Sequence, residues 1–208
     1  MMSVLRWIFT GLSRTSVWVW FSRRILSKWT LRIMGYPETA LKRYADIVSI
    51  VMNRDKYDVL AFCTCDRKTP VAMLIKMITG DRFSHAGIIV NPTTVYDSRS
   101  GGVAFRNLLE TVAQADDFAI VKFRLKGKEM AADYRRDIER YLGRDYDFTQ
   151  ELGGKSLYCS ELIYMLLRGR VEEEVQARFF HGQRGFSPGD VYNSGTVVFD
   201  HNPTGVKK

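Results

Sequence analysis

Six short runs of apolar and β-favouring residues constrain the fold of this chain more than any other feature. They occupy 57–63, 83–90, 95–97, 103–105, 118–125 and 196–199, and the run at 118–125, FAIVKFRL, is the clearest strand. Helices are predicted at 38–52, 70–78, 129–142 and 172–180 and directly after Cys159. Helices and strands in this order predict an α+β fold with a mainly antiparallel sheet.

The composition is that of one packed domain with an appendage. The chain has 208 residues, of which 46% are hydrophobic and 12% aromatic, enough to form a core. Pro37 disfavours helix before it, so we divide the chain into a segment, 1–36, and a domain, 37–208. Three cysteines cannot form a disulfide framework, which favours a reducing compartment such as the cytoplasm.

Residues 1–35 are basic and rich in tryptophan. They carry all four tryptophans, six basic residues and no acidic residue. The net charge of the whole chain is +8. No apolar run reaches the ~20 residues of a bilayer-spanning helix, and no signal-peptide cleavage site follows. This composition predicts a helix on an anionic membrane surface. The alternative is that the aromatics pack on the domain and the charges are a solvated face.

Nucleic acid is not a predicted partner, because no recognisable reading motif accompanies the basic residues. The sequence does not indicate an oligomeric state.

The stretch 158–167, YCSELIYMLL, places a cysteine before an apolar helix. A cap at Ser156 would put Cys159 in the first helical turn, where the helix dipole favours the nucleophilic thiolate. The alternative is a packing role, since free cysteine is among the most frequently buried residue types.

His85 lies near the beginning of the strand predicted at 83–90, next to small residues that leave room for another group. If this strand pairs antiparallel with 95–97, Asp97 lies at the same end as His85. An acid there would orient the imidazole and fix its tautomer. The alternative is that Asp97 is a solvated residue at a strand end.

Cys63 and Cys65 suggest a metal site only weakly. No second pair of Cys or His residues stands at ligand spacing, and a tetrahedral site needs four ligands. We therefore predict neither a metal nor another cofactor.

Taken together, FSHAGIIV, the acid twelve residues after the histidine, GRDYDF and YCSELIY resemble the circularly permuted papain-like hydrolases of the YiiX/YebB-like group. These are relatives of the NlpC-type peptidases and of lecithin–retinol acyltransferase. The resemblance covers about 57–198 and includes a turn at 187–190. In the permuted members the histidine strand precedes the cysteine helix, which is the order here.

The resemblance implies a papain-like, NlpC-like sheet packed against the nucleophile helix, with residues 1–36 as a basic helical extension. It implies Cys159 as nucleophile, His85 as general base and Asp97 as the third polar group. It also implies oxyanion or substrate-binding positions at Tyr146, Tyr158 and Glu161.

Three functional hypotheses remain open at this point. The first is a thiol hydrolase or acyltransferase that cleaves an amide or ester of an acyl, peptide or lipid substrate through a thioester, at a membrane surface. The second is a peptidoglycan amidase or endopeptidase. The absence of an export signal weighs against it, unless the protein travels by another route such as a virus particle. The third is a non-catalytic domain used for binding or assembly.

Overall fold

The computed structural model describes residues 35–65, 70–147, 156–175, 178–180 and 183–202. The chain divides into two compact units, Met1–Lys42 and Arg43–Lys208. Almost all of the predicted basic segment, 1–36, lies outside the described residues, and the domain boundary at residue 36 stays a prediction. Among the helices of the described part, none has the length and apolar character that crossing a bilayer requires.

The described part of the chain contains eight strands and six helices. The strands are β1 (Asp58–Cys65), β2 (His85–Asn91), β3 (Thr94–Arg99), β4 (Gly102–Asn107), β5 (Asp117–Arg124), β6 (Arg178–Phe180), β7 (Gln183–Gly185) and β8 (Thr196–Asp200). The helices are α1 (Glu38–Met52), α2 (Pro70–Thr79), α3 (Leu108–Gln114), α4 (Lys128–Tyr141), α5 (Cys159–Leu167) and α6 (Pro188–Ser194).

Six of these strands form one antiparallel sheet in the order β4-β3-β2-β1-β5-β8, which confirms the predicted α+β class. β2 and β3 form the predicted hairpin. β1 lies inside the sheet, between β2 and β5, and is buried along almost its whole length. A strand covered on both faces shows a continuous apolar run rather than an alternation, which explains the sequence VLAFC.

Alternate side chains of β1 enter two separate cores, as the period of two in a strand requires. Val59, Ala61 and Cys63 belong to a cluster that includes the apolar side chains of α5. Leu60 and Phe62 belong to a second cluster with side chains of α1 and α3. The sheet is therefore covered by helices on both faces, and α5 lies on the Cys63 face.

The helix predicted at 172–180 is wrong. Val171 forms a β-bridge with Leu125, and the Glu172 backbone N–H donates to the Arg124 carbonyl at 2.8 Å. Further on, β6 and β7 pair as a small hairpin. Pairing with the end of β5 overrides the helix propensity of the glutamates, as tertiary contacts often do.

The turn predicted at 187–190 is also wrong, since these residues begin helix α6. Ser187 is the N-cap, its hydroxyl accepts from the Asp190 backbone N–H at 3.1 Å, and the Asp190 carboxylate accepts from the Ser187 N–H at 2.8 Å. This is a capping box with proline in the first turn, a combination that starts helices.

Candidate active site

Cys159 is the first residue of helix α5 and is almost fully buried. The N-cap is Tyr158, in an extended conformation, and not Ser156 as predicted. The preceding residue fixes the path of the chain, because the Leu157 N–H donates to the Asp145 carbonyl and its own carbonyl accepts from the Ser98 hydroxyl at 2.5 Å. The sulfur therefore lies where unpaired helix N–H groups stabilise an anion.

His85 is the first residue of β2 and lies at the end of the sheet nearest α5. Its backbone is paired opposite Thr64 of β1, and its ring lies 5.8 Å from the Phe62 ring, centroid to centroid. The imidazole side chain is 19% exposed, so it borders both the core and the solvent. A base in this position is held firmly and is still reachable by a substrate.

Asp97 is fully buried and accepts a hydrogen bond from the Nε2 atom of His85 at 2.8 Å. The hairpin register places Asp97 opposite Gly87. A Cβ atom on Gly87 would lie 2.6 Å from the Phe62 ring and 2.7 Å from the Asp97 Cβ. The missing side chain of Gly87 is what lets Asp97 approach His85, as the small residues of this strand suggested.

Asp97 uses one ring nitrogen of His85, and Cys159 lies close enough to the imidazole for each group to shift the pKa of the other. Burial would lower the pKa of His85, but its interactions with Asp97 and Cys159 raise that pKa to about 9. Burial would raise the pKa of Cys159, but His85 and the N–H groups of Ala86 and Ser160 hold it below the ordinary thiol value. The two groups therefore favour a thiolate–imidazolium pair at neutral pH.

Two arginines that sequence reasoning missed also contact Asp97. Arg99 Nε lies 2.8 Å from Asp97 Oδ2, and Arg106 Nη1 lies 3.3 Å from Oδ1. Arg99 is two residues beyond Asp97 on the same strand face, and Arg106 is two beyond Ala104, the cross-strand partner of Asp97. Alternation along the strands could have indicated both, but only once the register was known.

The other three predicted positions lie around the beginning of α5. Tyr146 lies close enough to Cys159 to feel its charge, and burial together with that charge raises the pKa of the Tyr146 phenol. The Tyr158 hydroxyl accepts from the Phe186 backbone N–H at 3.0 Å. Glu161 is fully buried in the first turn of α5. Their roles as oxyanion or substrate-binding groups stay predictions.

Cys63 and Cys65 are both buried. The Cys63 thiol donates to the Pro188 carbonyl at 3.4 Å, and burial, with the nearby Cys159, raises the Cys63 pKa well above its usual value. Cys63 is thus held as a neutral thiol beside the activated one. In the described ranges, no three His, Cys, Asp or Glu side chains are grouped so as to hold a metal ion.

Comparison with known proteins identifies the family and the fold of the chain. The family model described as permuted papain-like amidase enzyme, YaeF/YiiX, matches residues 67–204. Among solved structures, the chain is similar to one described as the metalloprotein yiiX from Escherichia coli O157:H7, with a TM-score of 0.54 and 19% identity over 67% of this chain and 92% of that one. No curated protein matches the chain.

At 19% identity the structural likeness establishes the fold, while the family match covers more than half of the chain. The resemblance read from the sequence motifs is therefore confirmed. The chain belongs to the permuted papain-like amidases of the YaeF/YiiX family, and it is a cysteine hydrolase of amide bonds.

Proposed function

We propose that Cys159 is the nucleophile of this amidase, His85 its general base and acid, and Asp97 the group that orients His85. One observation carries the proposal: Cys159 lies at a helix N-terminus beside His85, and His85 Nε2 is hydrogen-bonded to the buried Asp97 at 2.8 Å. A nucleophile, a base and an orienting group in this order are the parts that covalent acyl transfer needs.

Acylation begins with the thiolate–imidazolium pair. The Cys159 sulfur attacks the amide carbonyl, and negative charge develops on the carbonyl oxygen. The Cys159 backbone N–H, at the start of α5, and the Tyr146 hydroxyl are the donors we assign to that oxygen. The His85 imidazolium then gives its proton to the leaving nitrogen, the C–N bond breaks, and a thioester remains on Cys159.

Deacylation uses His85 in the opposite direction. The imidazole, now neutral, takes a proton from water, and the resulting hydroxide adds to the thioester carbonyl. The C–S bond breaks, the carboxylic acid leaves, and the thiolate pairs again with the imidazolium. If an amine or alcohol attacked the Cys159 thioester in place of water, the reaction would be acyl transfer instead of hydrolysis.

Labelling with iodoacetamide tests the assignment, because only the thiolate reacts. At pH 6 we expect Cys159 to be alkylated, as located by peptide mass spectrometry, while Cys63 and Cys65 serve as internal controls that do not react. The His85→Ala variant should lose this low-pH reactivity. Equal labelling of the three cysteines in the wild-type protein would contradict the assignment and favour a non-catalytic domain.

We further propose that the substrate is an acyl amide presented at an anionic membrane surface. Residues 1–35 carry six basic residues, no acid and all four tryptophans, a composition suited to the membrane interface. Helix α2 adds an apolar face, which consists of Met73, Leu74, Met77 and Ile78. Because α2 joins the end of β1 to His85, this face lies at the same end of the sheet as the site.

Co-sedimentation with vesicles tests the membrane proposal. We expect the protein to bind phosphatidylserine-containing vesicles, and we expect this binding to fall when 1–35 is deleted. It should also fall in the double variant Met73→Ser and Met77→Ser, since these residues are 62% and 76% exposed. Met52→Ser is the matched control, since Met52 is 59% exposed and lies on α1. Unchanged binding in both variants would overturn the membrane role and leave the amidase assignment intact.

A further inference from the structure

Asp97 is a fully buried carboxylate that faces three cationic side chains. Its Oδ2 atom accepts from His85 Nε2 and from Arg99 Nε, each at 2.8 Å, while its Oδ1 atom faces Arg106 Nη1 at 3.3 Å. An orienting acid needs only the histidine as its partner. Two arginines on the same carboxylate therefore call for an explanation.

Both arginines are anchored by groups that take no part in the proposed chemistry. Arg99 Nη2 donates to the Thr111 hydroxyl of α3 at 3.3 Å, and that hydroxyl donates to the Asn107 carbonyl at 3.0 Å. Arg106 Nη2 donates to the Gly102 carbonyl at 3.1 Å. Each guanidinium is thus fixed on β3, β4 or α3 and presents one nitrogen to Asp97.

The charges explain what this arrangement does. Arginine stays protonated throughout the physiological pH range, so Arg99 and Arg106 hold the buried Asp97 ionised, against the cost of its burial. They also oppose protonation of His85, because both place positive charge near its imidazole. Asp97 therefore stays ionised, and the two arginines reduce the extent to which it stabilises the His85 imidazolium.

We propose that Arg99 and Arg106 are positioning residues that hold Asp97 ionised and in place and limit how strongly it binds the His85 imidazolium. This inference rests on the proposed roles of Cys159, His85 and Asp97. It identifies the arginines as the groups that set the pH range over which the thiolate–imidazolium pair exists.

The titratable or charged groups around the pair come from several elements. Asp97 and Arg99 face it from β3, Arg106 from β4, Cys63 from β1, Tyr146 from the loop before α5 and Tyr158 from the N-cap of α5. Cys63, Tyr146 and Tyr158 are held neutral near pH 7 by burial. The fixed charges of this set are therefore Asp97 and the two arginines. Of these, the arginines can be substituted while Asp97, the orienting group, stays in place.

The test is an NMR titration of the His85 ring in the full-length protein, assigned with the His85→Ala variant. In wild type we expect a midpoint of about 9. Arg99→Gln and Arg106→Gln each remove a positive charge, so each should move the midpoint up by about half a unit to one unit. The iodoacetamide midpoint of Cys159 should rise as well, because a thiolate is also less favoured when positive charge is removed.

Three further variants separate charge from structure. Arg99→Lys and Arg106→Lys keep the charge and should bring the midpoint back toward wild type, whereas Asp97→Asn should move it down. Arg136→Gln makes the same change of net charge at a side chain that is 75% exposed on α4 and should leave the midpoint unchanged. Circular dichroism confirms that each variant is folded.

Two outcomes are distinguishable. If wild-type Cys159 shows no low-pH reactivity and His85 titrates near its ordinary value, the proposed function fails and the inference fails with it. If the wild-type protein behaves as expected but the folded glutamine variants titrate as wild type, or below it, only the role of the arginines is overturned.

Discussion

Two charged clusters lie at the same end of the sheet and are built in opposite ways. In the first, one arginine joins two carboxylates: Arg82 contacts Asp117 through two nitrogens at 2.7 Å and Asp200 at 2.6 and 2.8 Å. In the second, one carboxylate, Asp97, faces two arginines and a histidine.

The two clusters differ in whether their protons can move. Arg82 is bound bidentately on both sides, and Tyr192 donates to Asp200 at 2.8 Å, so the cluster has fixed charge and fixed geometry. The Asp97 cluster includes His85, which is the only one of its cationic groups whose charge can change near neutral pH. We infer that the first cluster stabilises the fold and that the second supports chemistry, although only two residues lie between Arg82 and His85 in the sequence.

The largest expected effect comes from removing the nucleophile while both clusters remain. Cys159→Ser should lower the rate of acyl-enzyme formation with p-nitrophenyl acetate by on the order of 10⁴-fold or more, since loss of a nucleophile removes the covalent route. Intact mass spectrometry measures the acetyl adduct. Cys65→Ser is the matched control, and an equal loss in that variant would place the reactive thiol elsewhere.

Arg82→Ala should break the fold-stabilising cluster and spare the chemistry. It leaves Asp117 and Asp200 without their guanidinium partner in a largely buried place, which should cost about 3–5 kcal/mol of unfolding free energy. Urea denaturation measures this change. Under native conditions the pH midpoint of Cys159 labelling should stay at the wild-type value, and a shifted midpoint would show that the two clusters are coupled.

Gly87→Ala should damage the other cluster through packing alone. The added methyl group would overlap the Phe62 ring and the Asp97 Cβ, so we expect a loss of about 1–3 kcal/mol and a His85 titration midpoint closer to its ordinary value. Gly101→Ala is the control, because its Cβ would meet nothing nearer than 3.9 Å. A stable Gly87→Ala protein with the wild-type midpoint would show that Asp97 does not depend on this space.

Tyr158→Phe should have the smallest effect. It removes the acceptor of the buried Phe186 N–H, and a buried donor left without a partner costs about 1–3 kcal/mol. If Tyr158 only holds the chain at the helix start, acylation by p-nitrophenyl acetate stays within a few-fold of wild type. Slower acylation with unchanged urea stability would instead support the substrate-binding role implied by the resemblance.

The sequence was sufficient where the deciding interactions are local. The apolar runs predicted the strands of the main sheet, and antiparallel pairing through the turn after β2 predicted that Asp97 lies near His85, as the 2.8 Å contact confirms. The position of Cys159 in the first turn of a helix was also foreseen. Strand periodicity and turn chemistry determine these features within a few residues.

Most of the errors and omissions arise from contacts between distant parts of the chain; the exception is 187–190, where a local capping box starts a helix. Ser156 is not the cap of α5, because hydrogen bonds from Leu157 to Asp145 and Ser98 set the path into the helix. Residues 172–175 are not helical, because Val171 bridges Leu125 and the Glu172 N–H donates to the Arg124 carbonyl at the end of β5. Arg99 reaches Asp97 along β3, and Arg106 reaches it from β4 through the register of these two strands. Local propensity contains none of this information.

The central claim is that Cys159 exists as a thiolate paired with the His85 imidazolium at neutral pH. The ultraviolet absorbance of the thiolate, recorded across pH and corrected with the Cys159→Ser variant, measures this most directly. The account predicts a thiolate signal that is already present well below the ordinary thiol pKa of about 8.5 and that His85→Ala removes from that range. A signal that rises only near that ordinary pKa, and that is the same in His85→Ala, would contradict the account.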